Sequence, residues 1–86
     1  MELATEDLYL GAYVLSRGGA LKGVRVSRAS GRRTAVFALR GPRVSEEAEA
    51  YYAGRAVVNL REYREHLEAL KDELFGALRR DRKSVV

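Results

Sequence analysis

Apolar and polar positions change period several times along this chain, and each change marks an element. Leu8 to Leu15 is apolar on nearly every side. On a helix, Leu8, Ala12 and Leu15 share one face, with Tyr9 and Tyr13 beside them. Thr5 ahead of Glu6 and Asp7 fits a helix start, a hydroxyl cap followed by two acids at the positive end of the helix dipole. Gly18-Gly19 closes the segment, because glycine takes the left-handed conformation that ends helices. The expectation is a mostly buried helix, with a buried strand as the competing assignment. Residues 20–28 and 34–40 then alternate with period two: Val24 and Val26 against Arg25 and Ser27, Phe37 and Leu39 against Val36 and Ala38. This predicts a β-hairpin turning through Ala29-Ser30-Gly31-Arg32 and ending at Gly41-Pro42, where proline donates no ladder hydrogen bond.

Beyond Pro42 the helical period returns. Ser45 is the expected cap of a second helix that opens with Glu46 and Glu47, carries Ala48, Tyr51 and Tyr52 inward and stops at Gly54. Ala56-Val57-Val58 is a short extended piece and a candidate third strand. Asn59 with Glu62 resembles a capping box opening the last helix. There Leu60, Tyr63, Leu67, Leu70, Leu74 and Ala77 follow a 3-4-3-4-3 spacing, widened by Phe75 and Leu78. Arg61–Glu65 and Arg64–Glu68 are expected i,i+4 pairs on the wet side. The pattern predicts an α+β fold in the order α-β-β-α-(β)-α, with helices on one face of a small antiparallel sheet. Residues 1–78 read as one domain and 79–86 as a basic tail expected to fray.

Composition sharpens this picture in a few places. With 86 residues, 47% of them apolar, the chain has room for one domain and a small core, which pairing with a second copy would help. Leu60, Leu67, Leu70 and Leu74 are the candidate homodimer seam, and packing on the domain's own sheet is the alternative use of that stripe. Cysteine is absent, so no disulfide framework, thiolate nucleophile or cysteine metal site is expected, and a cytoplasmic setting is the simplest one. The acidic N-terminus is unlike a signal peptide. The run Leu8–Leu15 is far short of the roughly 20 residues of a membrane span, so no membrane association is expected. Arginine supplies 13 of the 16 cations, as a GC-rich genome or a thermophilic source would produce.

Charge is segregated along the chain. Residues 1–7 carry −3, residues 8–45 carry +8 with no acid at all, residues 46–78 carry −4 and residues 79–86 carry +3. Like charges on a two-stranded ribbon repel, and phosphates would offset that cost with release of condensed counterions. Lys22, Arg25, Arg28, Arg32, Arg33, Arg40 and Arg43 are therefore the candidate nucleic-acid contacts. Arg79 and Arg80 assist from the tail, with Arg82 and Lys83 behind them. The competing expectation is neutralisation inside the molecule by Glu46, Glu47, Glu49, Glu65 or Asp72.

Other chemistry fits poorly. Gly18-Gly19-Ala20-Leu21-Lys22-Gly23 lacks the Gly-Lys-Ser/Thr order of a phosphate loop. Arg33 to Leu39 has the outline of an RNA-binding aromatic strand, but Phe37 is its one aromatic and is assigned to the core. His66 is the sole imidazole and has only carboxylates for company, so no metal, cofactor or catalytic residue is expected. Five tyrosines are many for this length. Tyr51 and Tyr52 cannot both face inward on a helix, which leaves one for a base or a protein partner.

Thr5-x-Asp7-Leu8-Tyr9-Leu10-x-Ala12-Tyr13, Phe37-x-Leu39, Tyr52-x-Gly54-x-Ala56-x-Val58-Asn59 and Leu67-x-x-Leu70-Lys71, taken in order, resemble a family of small uncharacterised proteins from phages and mobile elements. That family carries an acidic Asp/Glu–Pro step after the second strand, where this chain has Arg40-Gly41-Pro42. The resemblance covers roughly Thr5 to Phe75 and implies a phage-like setting alongside replication genes. The expected function is a non-enzymatic nucleic-acid-binding accessory protein. The alternative is an adaptor or inhibitor that docks on a larger protein through the last two helices.

Overall fold

A computed structural model describes residues 1–28 and 31–84, with residues 82–84 as backbone alone. The elements are β1 (Glu2–Thr5), α1 (Leu8–Ser16), β2 (Ala20–Ser27), β3 (Thr34–Arg40), α2 (Val44–Tyr52) and α3 (Leu60–Ser84). The α+β class holds. The strands form one antiparallel sheet in the order β1-β3-β2, with β3 in the middle. The third strand lies at residues 2–5 and not at Ala56–Val58. β1 pairs Leu3 with Leu39 and Thr5 with Phe37, occupying the edge of β3 that a later strand would need. Residues 55–59 have no regular structure, and Val57 is 75% exposed.

Because Thr5 ends β1, it does not cap α1. Its Oγ1 accepts from the Asp7 N–H, and Asp7 Oδ1 caps the helix by accepting from the N–H groups of Tyr9 and Leu10 at 3.0 and 3.2 Å. Gly18, with φ +98°, closes α1 as expected, and the Gly19 N–H returns to the Val14 carbonyl at 2.9 Å. At the hairpin tip Ala29 and Ser30 lie outside the described residues, and Gly31 has φ +73°.

α2 starts two residues earlier than a Ser45 cap would place it. Val44 is buried and draws the helix start inward, while Arg43 at the N-cap makes no side-chain capping bond. Ser45 is exposed, and its hydroxyl donates to Met1 Sδ at 2.9 Å. Tyr51 takes the inward position, its ring 6.0 Å from that of Tyr13. Tyr52, one residue round the helix, is left 68% exposed and does not face inward.

α3 opens at the expected cap, where Asn59 Oδ1 accepts from the Glu62 N–H at 3.1 Å. It runs through Ser84 and so takes in most of the segment read as a tail. Its 25 residues span about 37 Å, against about 26 Å for the 8 residues of β2, so one sheet cannot cover the whole stripe. Leu70 and Ala77 are buried and Tyr63, Leu67 and Leu74 half-buried, but Leu60 is 77% and Phe75 54% exposed. The four-leucine seam therefore divides: Leu67, Leu70 and Leu74 pack within the domain, and Leu60 does not. Among the described residues neither Arg61–Glu65 nor Arg64–Glu68 closes within 4 Å. Lys71 instead meets Glu68 at 3.8 Å.

All three helices lie against one face of the sheet or its β1 margin. One cluster joins Leu10, Val14, Leu39, Val44 and Ala48, and the other joins Ala12, Phe37 and Leu70. Burying each of Phe37, Leu10, Leu39 and Leu70 contributes about 1.5–3 kcal/mol. Gly11 lets α1 and α3 approach closely: a Cβ there would stand 3.0 Å from Leu70 Cδ1. No helix among the described residues is long and apolar enough to cross a membrane.

Candidate nucleic-acid interface

Strand parity decides where each hairpin cation goes. Ala35, Phe37 and Leu39 face the helices, and Val24 and Val26 pair opposite Phe37 and Ala35 on that side. Arg28 and Arg33, just outside the paired residues Ser27 and Thr34, keep the helix-side parity. Both reach the same residue of α3: Arg28 Nη2 lies 2.6 Å and Arg33 Nη1 3.6 Å from Asp81 Oδ2. Asp81 has a side chain only 18% exposed, so it sits partly sheltered between the hairpin and the helix.

Arg25, opposite Val36, and Arg40, opposite Ala20 and Glu2, have the other parity and lie on the uncovered face of the sheet. Lys22 falls in the β-bulge between Leu21 and Gly23, and its ammonium meets Glu2 Oε2 at 2.9 Å. Hydrogen bonding to Lys22 and its charge hold the Glu2 carboxyl below its ordinary value, and Arg40 adds to this. Arg43 turns along its own helix to Glu46 at 3.0 Å. The nine expected contacts thus fall on three surfaces. Among the described residues the carboxylates that meet them are Glu2, Glu46 and Asp81, and none of Glu49, Glu65 and Asp72.

The densest group is at the hairpin end. Arg28, Arg32 and Arg33 come from the ribbon, and Arg79 from α3. Arg33, Phe75, Leu78 and Arg79 line a hollow of about 220 Å³ there. Arg80 folds back along α3, its Nη1 near Gly76. Arg25, Arg32, Arg40, Arg79 and Arg80 form no ion pair among the described residues, while one carboxylate serves both Arg28 and Arg33. The side chains of Arg82 and Lys83 lie outside the described residues. Two contributors escape sequence reasoning. Asp81 reads as one acid inside a basic tail. Phe75 reads as part of the apolar stripe, although its neighbour Leu74 already holds the inward position.

A second polar centre joins α1 to α2. Glu47, 9% exposed, accepts the Tyr13 hydroxyl at 2.9 Å and Arg17 Nε at 3.3 Å on the same oxygen. Burial, and then the bond to Glu47, raises the Tyr13 phenol above its ordinary value. Near the start of α1 the remaining tyrosines gather round Asp7. Tyr51 stacks edge-on against Tyr52 at 5.2 Å, and the Tyr63 hydroxyl is 3.5 Å from the Tyr9 carbonyl. Tyr9, Tyr52, Val57 and Leu60 are all more than half exposed. Among the described residues no group of three or more His, Asp or Glu side chains is placed to share a metal ion. In comparisons with protein-family models, curated proteins and solved structures, nothing matches this chain.

Proposed function

We propose that the protein is a non-enzymatic nucleic-acid-binding accessory factor that grips phosphates at the hairpin end, in a phage or mobile-element setting. One observation carries this reading: Arg28 and Arg33 share the single carboxylate of Asp81, and Arg79 lines the same hollow as Arg33, with Arg32 next to Arg33 in the chain. Guanidinium groups left without carboxylates suit bidentate phosphate contact, and such contact is largely indifferent to base sequence. Arg25 and Arg40 on the open sheet face extend the positive surface. Filter binding of a polynucleotide at two salt concentrations tests it. Affinity should fall as salt rises, by about 0.9 in log–log slope per duplex phosphate neutralised, and R32E/R33E should abolish most of it. Undiminished affinity in that variant would end the proposal.

A second reading, a protein-binding adaptor, draws support from the exposed Tyr9, Tyr52, Val57 and Leu60. Aromatic side chains of this kind are enriched at interface centres. Absence of polynucleotide binding at low salt, together with a retained protein that Y52A/L60A releases, would favour it.

A further inference from the structure

We infer that Phe75 is a stacking platform for an unpaired base, so that the nucleic acid bound at this end of the molecule is single-stranded. The inference rests on the phosphate-binding reading and narrows its ligand. Phe75 is 54% exposed on a helix whose neighbouring stripe positions, Leu70 and Ala77, are buried. Its ring belongs to neither core cluster, and Leu74 holds the inward position beside it. The ring opens on the hollow of about 220 Å³ shared with Leu78, Arg33 and Arg79. Leu78 and Arg79 stand one turn further along α3, at i+3 and i+4, and Arg33 comes across from the hairpin. Asp81 Oδ2 lies 3.6 Å from that hairpin arginine and draws its guanidinium toward the helix that carries the ring.

An apolar ring flanked by two cations matches a chain whose bases are free to stack and whose phosphates follow every few ångströms. A duplex fits it badly, since its base faces are already covered by their neighbours. Phenylalanine offers no hydrogen bond to a base edge, so the platform is tolerant of sequence.

Anisotropy titration with labelled oligo(dT) and a duplex of equal length, using the full chain, tests this. Wild type should prefer the single strand. Phe75→Ala should weaken oligo(dT) binding about 5- to 150-fold, while duplex affinity and the salt slope stay as they were. Phe75→Trp should keep the affinity, and because the chain has no other tryptophan its fluorescence should be quenched by oligo(dT). Equal affinity for both forms, an F75A variant that binds oligo(dT) like wild type, or an unquenched F75W would overturn the stacking role while leaving phosphate binding intact. Failure of wild type to bind either form at low salt would remove both.

Discussion

The Tyr13 hydroxyl and the Glu47 carboxylate meet at 2.9 Å across the junction of α1 and α2, and Arg17 completes the same oxygen at 3.3 Å. A carboxylate sheltered this far from water is stable only while its partners remain. Tyr13→Phe removes one of them without changing the shape of the core. It should lower the free energy of unfolding by about 1–3 kcal/mol in urea titration. Glu47→Ala should cost more than Tyr13→Phe, because it leaves the buried phenol without its acceptor and also removes the packing of the Glu47 side chain, while Arg17, 44% exposed, returns to water.

The same phenols make stability depend on alkaline pH. Burial is the leading cause that raises Tyr13, Tyr51 and Tyr63 above 10.0, followed by Glu47 for Tyr13, Asp7 for Tyr51 and Tyr9 for Tyr63. Groups that hold their protons more tightly folded than unfolded stabilise the fold below the unfolded value and lose that contribution as pH rises through the folded one. Ionisation of these three should therefore reach its midpoint above pH 10.0, together with loss of circular dichroism. A midpoint at or below pH 10.0 for all three, with the fold intact, would contradict the packing described.

Glycine substitutions separate close approach from open space. A Cβ on Gly19 would lie 2.6 Å from Val14 Cγ1 and 3.0 Å from the Val14 carbonyl oxygen, whereas one on Gly23 meets nothing within 4 Å. Gly19→Ala should destabilise by about 1–3 kcal/mol, as overpacking does. Gly23→Ala should stay within about 0.5 kcal/mol of wild type, with thermal unfolding as the readout.

Asp81 restrains the proposed interface as well as shaping it. Asp81→Asn releases the charge that Arg28 and Arg33 share, so polynucleotide affinity should rise severalfold at low salt and its salt dependence should steepen. Because the two guanidinium groups are 54% and 30% exposed, the stability cost should be about 1 kcal/mol or less. Unchanged binding would mean that phosphates do not compete for those arginines.

Much of this architecture was legible from local pattern. The alternation of Val24, Arg25, Val26 and of Phe37, Ala38, Leu39 fixed which hairpin residues face the helices, because a period of two allows only two faces. The Asn59 cap and the inward positions of Leu67, Leu70 and Leu74 followed from helical spacing. β1 was hidden, since four residues with one large apolar side chain carry too little periodicity and its partner lies far along the chain. Thr5 and Asp7 both suit a cap, and the strand ending at Thr5 is what decided between them. Of the candidate interface, the cations could be read directly. Their sharing of Asp81 is a tertiary fact, and so is the exposure of Phe75, which depends on where Leu74 turns.

The pairing of residues 2–5 with residues 37–40 also orders assembly. The hairpin closes a short loop and forms from neighbours, whereas β1 must wait for a partner synthesised after α1 and β2. By loop-closure entropy β1 should dock on β3 after the hairpin has closed, so that edge of β3 should stay open to other extended backbone until it does.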